Sequence, residues 1–490
     1  MRCRLLAIGV AYITLPSQAV VRCVDVNSTN ATPPFTNWSS AAATIQDAVD
    51  AADPGDEILV TNGVYQAGGR AVQGTMTNRV AVDKPTTLRS VNGPQVTIIQ
   101  GYQVPGPTNG DGAVRCVYLT NGASLIGFTL TDGATRWVGE SWPYPQSGGG
   151  GAWCEYDVMI SNCVVSGNSA FATGGGVCRG TLYNCWLQGN VAYGRSFDPI
   201  GAGGGGAYSA TLNNCTLVGN AAPLGGGAYY GSLNNCVVRD NSAFNHGGGG
   251  FASDFRNCTV TGNSGRTGGG GASECGVYNS IVYYNSAPES ADQGWGYSVN
   301  SCTTGGFNFG SGNITNPPLF GEDLRLLPNS PCINAGKNAE AAGEIDFGGS
   351  PRIVGGTVDM GAYEFQTPAS AISYAWLQQY ALPINGSADY ADPDGDGMNN
   401  WQEWRADTLP NNASSALRML SSTGNVSGVS VSWESVSTRS YWVERATNLT
   451  AQPVFSTIAT NLPGQAGIRT YTDTTASGSG PFFYRVGVQP

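Results

Sequence analysis

The run Asp392-Pro393-Asp394-Gly395-Asp396-Gly397-Met398-Asn399-Asn400-Trp401-Gln402-Glu403 sets hard oxygen donors at positions 1, 3, 5, 9 and 12, with glycine at position 6. That spacing is the pattern of a 12-residue calcium loop, whose sharp bend needs glycine at its sixth place. Asp392, Asp394 and Asp396 would supply charge, Met398 its backbone carbonyl, Asn400 a direct or water-mediated contact and Glu403 a bidentate carboxylate. The expected cofactor is therefore Ca2+, and the alternative is an acidic, solvated Asp-Gly turn. Residues 374–382 and 400–406 are expected to enter and leave the loop as helices.

Other chemistry is sparse. The chain has one histidine, His246, beside a glycine run, which argues against a Ser-His-Asp triad and a His-rich zinc centre. Both lysines, Lys84 and Lys337, lie outside the repeats described below. A polysaccharide lyase would have to draw its base from Arg136, Arg179, Arg195, Arg239 or Arg256. A glycoside hydrolase needs two carboxyl groups flanking one bond, and Asp132 and Asp240, which share a repeat column, sit several coils apart. No catalytic motif emerges, so catalytic residues are left unassigned and enzyme activity open.

The elements that must position these groups follow from a repeat. Asn162-Cys163, Asn184-Cys185, Asn214-Cys215, Asn235-Cys236, Asn257-Cys258 and Asn279-Ser280 align in steps of 22, 30, 21, 22 and 22 residues, and a fixed period of this length marks a stacked architecture. A second asparagine follows each at one offset, at Asn168, Asn190, Asn220, Asn241, Asn263 and Asn285, and glycine runs follow the first five of these. An earlier, degenerate coil has Phe128 in the cysteine column and glycines at 148–151. No coil can bury its apolar side alone, so stacking must do it. The reading is an all-β chain built on a right-handed parallel β-helix, with asparagine amides bonded along a ladder and glycines serving turns of positive φ. The cysteines read as buried free thiols acting as small apolar residues, with disulfides or metal binding as the alternatives.

Where the repeat lengthens, after Gly133 and after Asn190, two insertions leave from one corner. They bring Arg136, Trp137, Glu140, Trp142 and Tyr144 towards Tyr193, Arg195, Phe197 and Asp198. Aromatic faces stack on sugar rings and flanking charges bind hydroxyl or carboxylate groups, so this set is the expected ligand surface; the alternative is a hydrophobic cover.

With 34 acidic against 23 basic residues and a net charge of −11, the chain offers no basic surface for nucleic acid. Residues 1–19 read as a signal peptide, with Arg2 and Arg4 ahead of a short apolar core and Ser17-Gln18-Ala19 for cleavage. No apolar stretch is long enough to span a membrane. From about residue 415 onward, alternating segments at Val429–Trp433, Tyr441–Glu444 and Phe482–Val486 predict a small β-sandwich with Trp433 and Tyr441 in its core.

Thr44-Ile45-Gln46-Asp47-Ala48-Val49 with Pro54-Gly55-Asp56-Glu57-Ile58 and Gly63-Val64-Tyr65 resembles the entry to the pectin-lyase-like β-helix superfamily, which implies a first helix capping the core. The Gly-Gly-Ala runs resemble polymorphic outer-membrane protein repeats, which implies an adhesin. Ser330-Pro331-Cys332-Ile333-Asn334-Ala335-Gly336 with Val358-Asp359-Met360-Gly361-Ala362-Tyr363-Glu364 resembles a choice-of-anchor closing segment. The acidic loop resembles EF-hand and dockerin-like loops, and the C-terminal segments resemble fibronectin type III or immunoglobulin-like modules. The expected order is a signal peptide (1–19), a β-helix with its cap (20–366), a calcium-binding linker (367–414) and a sandwich (415–490). The expected function is a secreted or cell-surface protein that binds polysaccharide or mediates adhesion. A polysaccharide lyase, ahead of a glycoside hydrolase, and a structural stalk are the alternatives.

Overall fold

A computed structural model describes residues 19–72, 74–137, 145–194, 203–304, 310–425, 428–477 and 480–489. The expected signal peptide falls outside these residues, except Ala19. Contacts gather into two units, one of residues 1–278, 282–298 and 303–309, the other of 279–281, 299–302 and 310–490.

In the first unit each coil contributes a strand to each of three long parallel sheets, an arrangement consistent with a right-handed β-helix. The first sheet runs through Met159–Ser161, Thr181–Tyr183, Thr211–Asn213, Ser232–Asn234, Asp254–Arg256 and Cys275–Tyr278. Successive strands pair in register, Leu182 with Leu212, Leu212 with Leu233 and Leu233 with Phe255. The middle residue of each strand points inward, so Ile160, Leu182, Leu212, Leu233, Phe255 and Val277 form one column against Val165, Leu187, Leu217, Val238 and Val260 of the second sheet, all fully buried. Sizes are matched between sheets. Phe255 replaces leucine where the third sheet has Gly250 instead of alanine, and a Cβ on Gly250 would lie 2.5 Å from the Phe255 ring.

Helix α1 (Ile45–Ala51) closes the N-terminal end of this core with Ile45, Ala48 and Val49, and Thr44 caps it by accepting from the Asp47 amide. This matches the cap that the superfamily resemblance implies.

Corners carry the repeat signature. The first asparagine of each coil is left-handed, with φ between 46° and 55° from Asn162 to Asn279, a conformation that asparagine tolerates better than other L-residues. Turning there removes the next amide from the sheet, and the cysteine column restores its partner. Cys185 N donates to Cys215 Sγ, Cys215 N to Cys236 Sγ and Cys236 N to Cys258 Sγ, each at 3.4 Å. Phe128 N donates likewise to Cys163 Sγ, and further along Ser280 N donates to the Ser301 hydroxyl. All twelve described cysteines are free and buried. Thiols were expected as small apolar filler; they are hydrogen-bond acceptors in a dry corner, which is why serine can replace them.

The second asparagine column is a continuous buried ladder. Side-chain Nδ2 of Asn168, Asn190, Asn220, Asn241 and Asn263 donates to Oδ1 of the next member at 2.9–3.0 Å. The same Oδ1 accepts the preceding coil's backbone N–H, and each Nδ2 also reaches a core carbonyl, as Asn220 does to Leu187. Asn285 ends the row on Asp292 Oδ1 at 3.0 Å.

After the ladder the chain makes a short strand of a five-stranded sheet, Ser169–Ala170, Val191–Ala192, Ala221–Leu224, Ser242–His246 and Ser264–Gly265, then doubles back through the glycine run. One glycine of each run has positive φ, the first at Gly174, Gly225 and Gly247 and the second at Gly149, Gly204 and Gly269, with values from 59° to 72°. Its successors serve close packing instead. A Cβ on Gly175 or Gly226 would sit 2.6 Å from the carbonyl oxygen of Gly205 or Gly248 in the next coil. The fold-back covers an outward aromatic column of the third sheet, so Trp153, Tyr208 and Tyr229 are buried.

The second unit contains a polar clasp. Asp359 accepts from the amides of Asn334 and Phe365, Glu364 from those of Val354 and Asp359, and Asp346 from those of Ser350 and Glu364. Arg352 donates to the Gly361 and Ala362 carbonyls. The two halves of the closing segment are thus joined through buried carboxylates. Beyond it lie α2 (Tyr374–Gln379) and α3 (Asn400–Ala406), then two three-stranded antiparallel sheets with Trp433, Tyr441 and Val443 buried between them.

Ladder and thiols give separable expectations. Asn220→Ala strands buried donors and acceptors on both neighbouring coils and should lower the unfolding free energy by roughly 2–4 kcal/mol in denaturant titration. Cys236→Ser should be tolerated better than Cys236→Val, because serine keeps an acceptor for the Cys215 amide; the reverse order would restore the apolar-filler account. In the clasp, burial pushes Asp359 up to about 7 and Glu364 up to about 8, with the charge of Asp359 adding to the latter. Both folded values lie above the unfolded ones near 4, so this contribution is full below about pH 4 and is lost as pH rises through about 7 to 8. Melting temperature should fall between about pH 4 and pH 8 and level off above, and the fall should be smaller in Asp359→Asn.

Candidate functional site

The acidic loop is held open by its own backbone. Asp392 accepts from the amides of Gly395 at 2.8 Å and Gly397 at 3.0 Å, Asp394 from Asp396, and Asp396 from Met398 at 2.8 Å. Gly395 and Gly397 take φ of +75° and +96°, which a β-carbon would strain. These turns bring one carboxylate oxygen from each of Asp392, Asp394 and Asp396 within 4.8 Å of one another.

Helix α3 completes the set from the other side. Asn399 and Gln402 cap it reciprocally, which aims Asn400 and Glu403, both fully buried, into the loop. Asn400 Nδ2 is anchored on the Ala388 carbonyl at 2.7 Å. Its Oδ1, with Asp394 Oδ2, Asp396 Oδ2 and both Glu403 oxygens, is buried with no hydrogen-bond partner. Burial, then the charges of Asp394, Asp396 and Asp392, push Glu403 up to about 7.

Five buried oxygens without donors, four of them from carboxylates, are an unfavourable arrangement unless a cation lies among them. An all-oxygen donor set from loop and helix residues fits a hard divalent ion. Asp392, Asp394, Asp396, Asn400 and Glu403 offer side-chain oxygens to it, and the Met398 side chain is tied outside the set, its Sδ accepting from the Leu417 amide at 3.2 Å.

The entering helix departs from expectation. It stops at Gln379 and residues 380–390 are mostly turns, because Leu382 precedes Pro383 and the residue before proline avoids the helical region. The loop is therefore joined to a helix only on its exit side. That side leads on to the sandwich. Arg418, just before the strand Met419–Asn425, lies 3.8 Å from Asp396, and Arg439 donates to the Arg405 carbonyl at the end of α3.

At the expected ligand corner, Arg136 is paired with Asp111. Trp137, 64% exposed, lies with its ring centroid 5.4 Å from that of Phe171. Tyr193, exposed as well, is on the next coil, where its amide bonds the Ala170 carbonyl. Glu140, Trp142, Tyr144, Arg195, Phe197 and Asp198 lie outside the described residues. Phe171, Pro223 and Phe244 were not anticipated. All stand three places after the ladder asparagine, as Tyr193 does, and this offset carries the row. His246, at the end of the strand that carries Phe244, meets the Thr267 hydroxyl at 3.2 Å.

No family model matches the chain, and no curated protein matches it. Among solved structures it is similar to a rhamnogalacturonan lyase (13% identity, 69% of this chain and 95% of that chain, TM-score 0.35). It is also similar to pectin methylesterase PemA from Erwinia chrysanthemi (10%, 60% and 81%, 0.29) and to the A-module of the Azotobacter vinelandii mannuronan C-5 epimerase AlgE4 (14%, 55% and 84%, 0.27). Among the described residues no helix is long and apolar enough to cross a membrane.

If the loop holds a cation, Glu403→Gln should weaken terbium or calcium binding at least tenfold, and Asp394→Asn with Asp396→Asn should abolish it. Chelation should expose the backbone near residue 400 to protease. An identical digestion pattern with and without chelator would contradict the assignment.

Proposed function

We propose that this is an exported, surface-associated β-helix protein of the pectin-lyase-like class that binds polysaccharide, with a calcium loop stiffening the path into its C-terminal sandwich. One observation carries the glycan reading: Trp137 presents a largely exposed ring backed by Phe171, and the same row continues on later coils through Tyr193, Pro223 and Phe244. With adjacent strands about 4.8 Å apart, such a row repeats at nearly the rise of a pyranose unit in an extended glycan. Rings supply apolar contact to sugar faces, and Arg136 with Asp111 supplies charged hydrogen-bonding groups at one end. A calcium ion would add charge neutralisation within the loop of the second unit.

The double variant Trp137→Ala, Tyr193→Ala should lose at least tenfold in affinity for at least one polysaccharide that the intact chain retains in a pull-down panel. Full retention by that variant would remove the corner from the binding surface.

A further inference from the structure

The outer side of the first sheet changes character at one coil. Three residues before the first asparagine stand Met159, Thr181, Thr211 and Ser232, but then Asp254 and Gly276. One residue before it, Asn213 and Asn234 give way to Arg256 and Tyr278, and five before it stands Glu274.

Gly276 lies inside a strand and has no positive φ to account for it. Its missing side chain is instead a matter of space. A Cβ there would run into Asp254 Oδ1 and come within 3.0 Å of Tyr278 Cε2. The glycine thus forms the floor of a notch. Asp254 is on one side; on the other is Tyr297, in the adjoining strand, with its ring 6.2 Å from that of Tyr278. Arg256 lies face-on over Tyr278 at 4.1 Å. Glu274 and Trp295 complete the rim, joined by the bond from the Glu274 amide to the Trp295 carbonyl.

The rim is mostly open to solvent. Trp295 is 65% exposed and Tyr297 43%, and Asp254 and Glu274 are exposed too. Among the described residues neither carboxylate side chain has a hydrogen-bond or ion-pair partner. Exposed aromatic faces beside unpaired acceptors match a molecule with one apolar face and a ring of hydroxyl donors.

We propose that this notch is a second saccharide site, distinct from the aromatic corner, and that it takes a neutral pyranoside. The sugar's C–H face packs on Trp295 or Tyr297, and its hydroxyl groups donate to Asp254 and Glu274. Two carboxylates against one guanidinium leave the rim with net negative charge, so a uronate is repelled. The site stands on its own residues and does not depend on the corner.

Isothermal titration of the full chain with neutral gluco-, xylo- and manno-oligosaccharides and with oligogalacturonides tests this. At least one neutral oligosaccharide should bind, with affinity reduced tenfold or more by Trp295→Ala and severalfold by the near-isosteric Asp254→Asn, and unchanged in Trp137→Ala, Tyr193→Ala. Melting curves identify any variant that fails to fold, and Asp254→Asn, on an exposed position, keeps the test open if Trp295→Ala does. Neutral-sugar binding indifferent to both notch variants overturns the proposal while leaving the corner standing. So does binding lost only in the corner variant. Trp295-dependent capture of oligogalacturonides, or of a lysine-rich peptide in place of any sugar, also overturns it. Binding of no glycan at either place removes both readings.

Discussion

Each time the chain leaves one sheet for the next, a backbone amide loses its strand partner inside a dry core, and the fold stands only if that amide finds another acceptor. The asparagine ladder meets this demand at one corner and the thiol row meets it at another. An unpaired buried amide costs about 1–3 kcal/mol, so several coils left unsatisfied would remove most of the stability an ordinary domain possesses. The apolar columns supply the larger driving force and decide which face of each strand turns inward. The polar rows hold the coils in phase.

The period, the stacking and the columns were legible from the residues, because identity at a fixed offset survives in the one-dimensional chain. The roles of several columns were not. Cysteine looks apolar until Cys215 is seen above the amide of Cys185, and the serine at position 280 was the available sign that hydrogen bonding was being conserved along the row. Glycine was read for its turn conformations, yet Gly175 and Gly226 are required by carbonyl oxygens one coil away. Contacts between coils are set by register, and insertions such as the 30-residue step obscure that register until the strands are paired.

The acidic loop shows the same division. Its donor spacing could be read directly, while the burial of Asn400 and Glu403 and the early end of the entering helix at Gln379 came from how α3 and Pro383 shape the surrounding chain. At the aromatic corner the insertions drew attention to Trp137 and Tyr193, but Phe171 and Phe244 belong to ordinary coils and became visible only as members of a row. The notch at Gly276 is marked by the loss of a side chain from a column that carries one in the preceding coils, a signal that has meaning once Asp254 is placed beside it.

Asp292 has a consequence for self-association. Every asparagine before it both accepts and donates, so a ladder ending in asparagine would present an unsatisfied amide to whatever lay beyond. A carboxylate accepts without needing to pass a proton onward, and its second oxygen is occupied by the Thr304 hydroxyl. The row therefore terminates chemically within its own chain, and this amide ladder offers no template for end-to-end polymerisation of one solenoid on another.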